Sequence, residues 1–294
     1  MIDERYHIYS IAAVFLALAV GIVIGTSIAR SPSSKSERTT IRQYEAWMTQ
    51  LRGEIEDQSK ENTRMADAAR KHEEFCQAAL PILASERLAW RNVAIIRTGD
   101  YNDLTGAAKR AAEMAGAQVT TVTEISRNFP FDNEEKVRQV LANCGVQLAS
   151  NSEKPSDTMW RIIAGAVSGA QHRYLLPKLE KAGVAKFTGA YDRPARPLVI
   201  VGGASSGESN TAEAIDCPFI AQANKPGVTI VGCESSEAAS SFVPAWQKMG
   251  IATVDNAETS FGQMALICAL DGERASFGTK DTADRMIPQS LGRQ

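Results

Sequence analysis

Three patterns of hydrophobic and polar positions follow one another along the chain, and each predicts a different element. Residues 8–28, "IYSIAAVFLALAVGIVIGTSI", run for twenty-one positions without a charged side chain. From Ile41 the apolar positions recur in alternating steps of three and four. From Val93 onward, short apolar stretches end in small or polar residues and alternate with segments of helical period.

At about 1.5 Å per residue, a helix of the first run measures roughly 30 Å, which matches the hydrocarbon core of a bilayer. A secretory leader has a basic start, a shorter apolar run and a small-residue cleavage site. Arg5 and Ser27–Ala29 fit that pattern loosely, but the run is too long for it. A charge-free helix of this length is also rare in a soluble core, so the pattern predicts an uncleaved transmembrane anchor over residues 1–30. Within it Gly21 and Gly25 stand at GxxxG spacing, which lets two helices approach closely, although glycine is common in membrane helices without that role. Arg5 precedes the run while Arg30, Lys35, Arg38 and Arg42 follow it, a count that places the bulk of the chain in the cytoplasm.

A Ser-rich polar linker is expected over residues 31–40, with Pro32 ending the first helix. The second pattern then predicts a coiled coil over residues 41–85. Its seam is Ile41, Tyr44, Met48, Leu51, Ile55, Gln58, Asn62, Met65, Ala69, His72 and Cys76, five heptads in one register. Gln58 and Asn62 make the seam polar half-way, and a polar seam residue fixes register and oligomer state. A homodimer or higher homo-oligomer through this helix is the expected partner, parallel in the dimer; the alternative is a helix lying against the chain's own globular part. Pro81 is expected to interrupt the pattern. His72 and Cys76, four residues apart, share one helical face. Two parallel chains would bring two His and two Cys together, a candidate metal site for Zn(II) or Cu(I).

The third pattern predicts a doubly wound, mostly parallel α/β domain over residues 90–294. Strands are expected at "NVAIIRTGD", "QVTTVTEI", "PLVIVGG", "GVTIVGC" and "IATVD", with helices between them and "SFGQMALICAL" last. Asp132 and Glu135 stand at capping-box spacing before the helix "KVRQVLANCG". In such a sheet ligands bind beyond the carboxyl ends of the strands, which makes Gly203, Asp255, Asn256 and Thr259 the candidate ligand-binding positions. The glycines also serve as plain strand-to-helix turns, and Thr259 also suits a helix cap.

Composition narrows the chemistry. A formal net charge of −2 with 22% charged residues gives no reason to expect a nucleic-acid partner. Five cysteines without a CxxC pair form neither a disulfide framework nor a zinc ribbon. "GGASSG" is not GxGxxG, and "GASSGES" lacks the Lys of a phosphate-binding loop, so no cofactor is identified. Histidines stand at residues 7, 72 and 172 without a GxSxG elbow or an HExxH pair, and no enzyme is expected.

The order of parts, together with "YHIYSIAAVFLALAVGIVIG" at one end and "TVDN", "GQMALICAL" and "FGTKDTADRMIP" at the other, resembles the MctB family of copper transport proteins. The resemblance covers nearly the whole chain. It implies a single-pass membrane protein of copper homeostasis, with copper as the transported or bound ion. It also implies a large domain outside the cytoplasm, opposite to the count of flanking charges. A lone helix supplies no polar path through lipid, so conduction would require an oligomer. MxxM and CxxC clusters, the soft ligand sets expected for copper, are missing from the sequence. The alternative is a bitopic coiled-coil structural or docking protein of the cell envelope whose α/β domain is not catalytic.

Overall fold

The computed structural model describes residues 4–29, 33–148 and 154–291. The chain divides into two compact units, Met1–Arg70 and Lys71–Gln294.

The first unit contains α1 (Glu4–Ala29) and the greater part of α2 (Ser33–Ala84). Among the described residues one helix is long and apolar enough to cross a membrane, His7–Ile28. Its hydroxyl at Thr26 is satisfied within the helix, donating to the Ile22 and Val23 carbonyls at 2.9 and 3.1 Å. Pro32, expected to end this helix, lies outside the described residues. The polar side of α2 is laced by pairs three and four residues apart, Gln50 with Glu54 (2.9 Å), Glu56 with Lys60 (2.8 Å) and Asp67 with Arg70 (3.0 Å). Such pairs add a few tenths of a kcal/mol each, about 0.2–0.5. Its apolar stripe, Ile41, Tyr44, Met48, Ile55 and Met65, is exposed in the single chain.

The second unit begins with the last turns of α2. Pro81, expected to interrupt the heptad pattern, lies within α2, which carries it in its final turn and continues to Ala84. Leu80 and Ala84 are buried on the inner side, and that packing outweighs the one i→i−4 bond a proline removes. There follow β1 (Asn92–Arg97), α3 (Asn102–Met114), β2 (Gln118–Ile125), α4 (Glu134–Cys144), α5 (Pro155–Gly169), α6 (Leu176–Lys181), β3 (Ala185–Gly189) and β4 (Leu198–Val201). The remainder is α7 (Cys217–Ala223), β5 (Ile230–Cys233), α8 (Val243–Lys248), β6 (Ala252–Val254), α9 (Ser260–Leu270) and β7 (Ser276–Phe277).

The strands form one seven-stranded mixed sheet in the order β3-β2-β1-β4-β5-β6-β7. Every neighbouring pair is parallel except β2 with β3. Alternate residues feed two hydrophobic clusters. Val93, Ile95, Val199, Val201 and Val231 join the end of α2, α3 and α9, while Ala94, Ile96, Leu198, Ile200 and Ile230 join α4 to α8. The strands are therefore apolar on both sides, which is why they read as continuous runs rather than as alternating ones. Helix α9 is apolar all round and almost wholly buried, as a helix with no polar face must be.

Two local expectations shift. The cap of α4 is Asn133, whose Oδ1 accepts from the Lys136 N–H at 3.0 Å; Asp132 stands one residue too early for that bond. Strands β3 and β7 carry no clear sequence signal, because "AKFTG" is a largely exposed edge and β7 has only two residues.

Candidate functional site

The parallel strands β1, β4, β5 and β6 deliver their carboxyl ends to one edge, and the chain order reverses between β1 and β4. The turns there are Gly99-Asp100, Gly202-Gly203, Glu234-Ser235 and Asp255-Asn256. Gly203 adopts a φ of +88°, a conformation costly for other residues, and its carbonyl accepts from the Asp100 N–H at 2.9 Å. The Asp100 carboxylate accepts from the N–H and Oγ of Ser205, both at 2.8 Å, and pairs with Arg127. Burial pushes this carboxyl up, but the Ser205 bonds and the Arg127 guanidinium together hold it below the ordinary range.

Glu234 is the most enclosed charge of the edge, its side chain fully buried beside that of Lys280. It accepts from Lys280 Nζ at 2.7 Å, Ser241 Oγ at 2.6 Å and the Phe242 N–H at 2.7 Å. Lys280 Nζ also donates to the Ser235 carbonyl at 3.0 Å. The same loop is gripped from β6, since Asp255 Oδ1 and Oδ2 accept from the Thr279 and Lys280 N–H groups at 2.8 and 3.0 Å. A buried carboxylate is tolerable only when its lone pairs are filled in this way.

Beside these groups a cavity of about 590 Å³ opens between the start of α3 and the Ser235–Glu258 region, with Asp100, Tyr101, Arg110, Glu237 and Glu258 on its walls. Glu258 accepts from the Ser236 N–H at 3.0 Å and from its hydroxyl. No histidine is among the residues on its walls. Among the described residues no three His, Cys, Asp or Glu side chains converge as a metal-binding group.

Of the positions singled out from sequence, Gly203 and Asp255 do stand at this edge. Asp255 acts as a clamp on residues 279–280, and Thr259 caps α9, its Oγ1 accepting from the Gly262 N–H at 3.0 Å. Asn256 is buried, and its backbone carbonyl accepts from the Thr259 N–H at 3.0 Å. His72 and Cys76 stand elsewhere, on the last turns of α2. His72 is exposed and Cys76 half-buried, and Cys76 lines an apolar groove with Phe75, Leu80 and Met286. Between them Glu73 Oε1 accepts from the N–H and Oγ of Ser260 at 3.2 and 2.6 Å. All five thiols are free. Burial pushes those of Cys144, Cys217, Cys233 and Cys268 up, which works against thiolate chemistry.

The family model described as "Copper transport outer membrane protein, MctB" matches residues 1–288. The chain belongs to the MctB family. Proteins named Copper transporter MctB from Mycobacterium bovis and from Mycobacterium tuberculosis strains CDC 1551 and H37Rv are each 26% identical to it. The match runs over 298 positions and covers 92% of this chain and 92% of each relative.

For an MctB-family chain the sequence pattern singled out positions at this edge of the sheet but not Asp100, Arg127, Glu234 and Lys280. Glu234 and Lys280 are 46 residues apart, and Asp100 and Ser205 are 105 apart. Such pairings leave no local spacing to read. The available signal was indirect: "CES" sets an acid directly after a buried strand, and "FGTKD", one of the stretches that carried the MctB resemblance, contains the lysine.

Proposed function

We propose that the protein is a membrane-anchored copper transport and copper homeostasis protein that acts as a homo-oligomer. Membership of the copper transport family over residues 1–288 carries this reading. It is supported by an N-terminal helix long and apolar enough to cross a bilayer. A single helix offers copper no polar route through lipid, so passage of the ion requires several copies, and the heptads of α2 are the means of assembly. Pairing as a parallel coiled coil places His72 and Cys76 of two chains at adjacent seam layers. That gives four N and S donors of the soft kind Cu(I) takes.

In this reading Gly203, Asp255, Asn256 and Thr259 frame the ligand-facing edge of the doubly wound module. The test is copper tolerance of a deletion strain together with Cu(I) titration of the full chain in detergent. Loss of tolerance restored by the intact gene, and binding tighter than micromolar, are expected. Unchanged tolerance with binding weaker than micromolar would overturn the copper role. The second reading is a structural or docking protein of the envelope. It is favoured by the internal commitment of Glu234 and Asp255, which leaves these carboxylates holding the fold rather than facing a ligand.

A further inference from the structure

The last turns of α2 and the segment after β7 enclose an apolar groove of about 250 Å³. Its α2 wall is Phe75, Cys76, Ala79, Leu80 and Leu83, and Met264, Met286 and Ile287 face that wall. In the heptad register set by Ile41, the residues Cys76, Ala79 and Leu83 are seam positions a, d and a. Phe75 and Leu80 then flank the seam at g and e. The seam therefore runs on past the polar layers and forms a wall of this groove. Two side chains beside it are out of place for a finished surface: Phe75 is 73% exposed and Ile82, the next g position, 79%.

The flanks say what kind of chain covers them. In a parallel pair each g residue meets the e residue five positions later in the partner. In this sequence that sets Trp47 against Arg52, Glu54 against Ser59, Glu61 against Ala66, Ala68 against Glu73, and Phe75 against Leu80. No pair opposes like charges. Trp47 with Arg52 is a cation–π pairing, and the one wholly apolar pair falls at the groove. The surface is thus charge-compatible with another copy of itself in register.

We propose that a second copy's α2 seats on this groove, its Phe75 entering beside Leu80, Met286 and Ile287, and that the exchange is reciprocal. This deepens the proposed pairing through α2 and rests on it. Each α/β unit then contributes to the dimer through its segment 286–291, so the contact belongs to stalk and domain together and not to the helices alone.

The test places a photo-crosslinking p-benzoylphenylalanine at Phe75 and, separately, at Met48, in full-length chain reconstituted in detergent from equal parts of isotopically light and heavy protein. Mass spectrometry separates links within a chain from links between chains. Links from residue 48 to the partner's α2 and from residue 75 to the partner's residues 286–291 are expected. If residue 48 links to the partner while residue 75 links only to its own chain, or to no chain, the groove proposal is wrong and the pairing stands. If residue 48 also fails to reach a partner, the pairing and the groove fall together. In a second variant, Ile287→Asp, at least a tenfold weaker dimer with unchanged circular dichroism is expected; an unchanged dimerisation constant would count against the groove.

Discussion

Asp216 shows how a single side chain sets a pH response. Gly202 and Gly232 lie so close to the Trp246 indole that a Cβ at either would collide with it. The indole Nε1–H in turn donates to Asp216 Oδ2 at 2.7 Å. Burial pushes the Asp216 carboxyl up to about 7 from its ordinary 3.8, against the pull of hydrogen bonds from Thr98 and Trp246. Below pH 3.8 both folded and unfolded chains carry the proton, so the neutral carboxyl adds its full share of stability there. Between 3.8 and 7 folding takes up a proton, and stability from this group falls as the pH rises through that window. Asp216→Asn keeps an acceptor for Trp246 and removes the titration. A melting temperature that drops by a few degrees less than the parent's between pH 5 and pH 8 is expected, the scale of ~1–2 kcal/mol in a domain of this size. Thiol labelling gives a second check. In the folded chain Cys217, half-buried, should react first, and Cys144, Cys233 and Cys268 only after denaturant.

The buried Glu234–Lys280 pair belongs to the scale of elements, because it fastens the loop after β7 to the ends of β5 and β6. Lys280→Met should cost about 3 kcal/mol, since breaking one side strands a buried charge. Adding Glu234→Gln should recover part of that loss, and non-additivity in denaturant melts of the two singles and the double is the measurement. Thr259→Ala, which removes the cap of α9, should cost about 1 kcal/mol in the same assay. Elements with a strong local pattern were legible in advance. "QVTTVTEI" is β2 and "SFGQMALICAL" is α9 residue for residue. What the sequence pattern missed were elements decided by partners distant in sequence: the edge strand β3 and the two-residue β7. The candidate site divided in the same way. Its turns were readable from glycine and the ends of apolar runs, whereas the ion pairs that organise it join strands far apart in the chain.

At the scale of the whole molecule the polar seam residue Asn62 should trade stability for a defined partner number. Asn62→Val is expected to raise the resistance of the oligomer to denaturant while broadening its mass distribution from one species to several, read by light scattering in detergent. No change in either would argue that α2 does not pair along this seam.

The apolar helix α9 has a further consequence at the time the chain is made. Its composition is as free of charge as that of the N-terminal run, yet its 11 residues rise only ~16 Å, about half a bilayer. The insertion machinery that reads both segments meets one that reaches across and one that falls short. Its shortness leaves the second to be sheltered by the sheet, so a few apolar residues added to α9 would set membrane insertion in competition with folding.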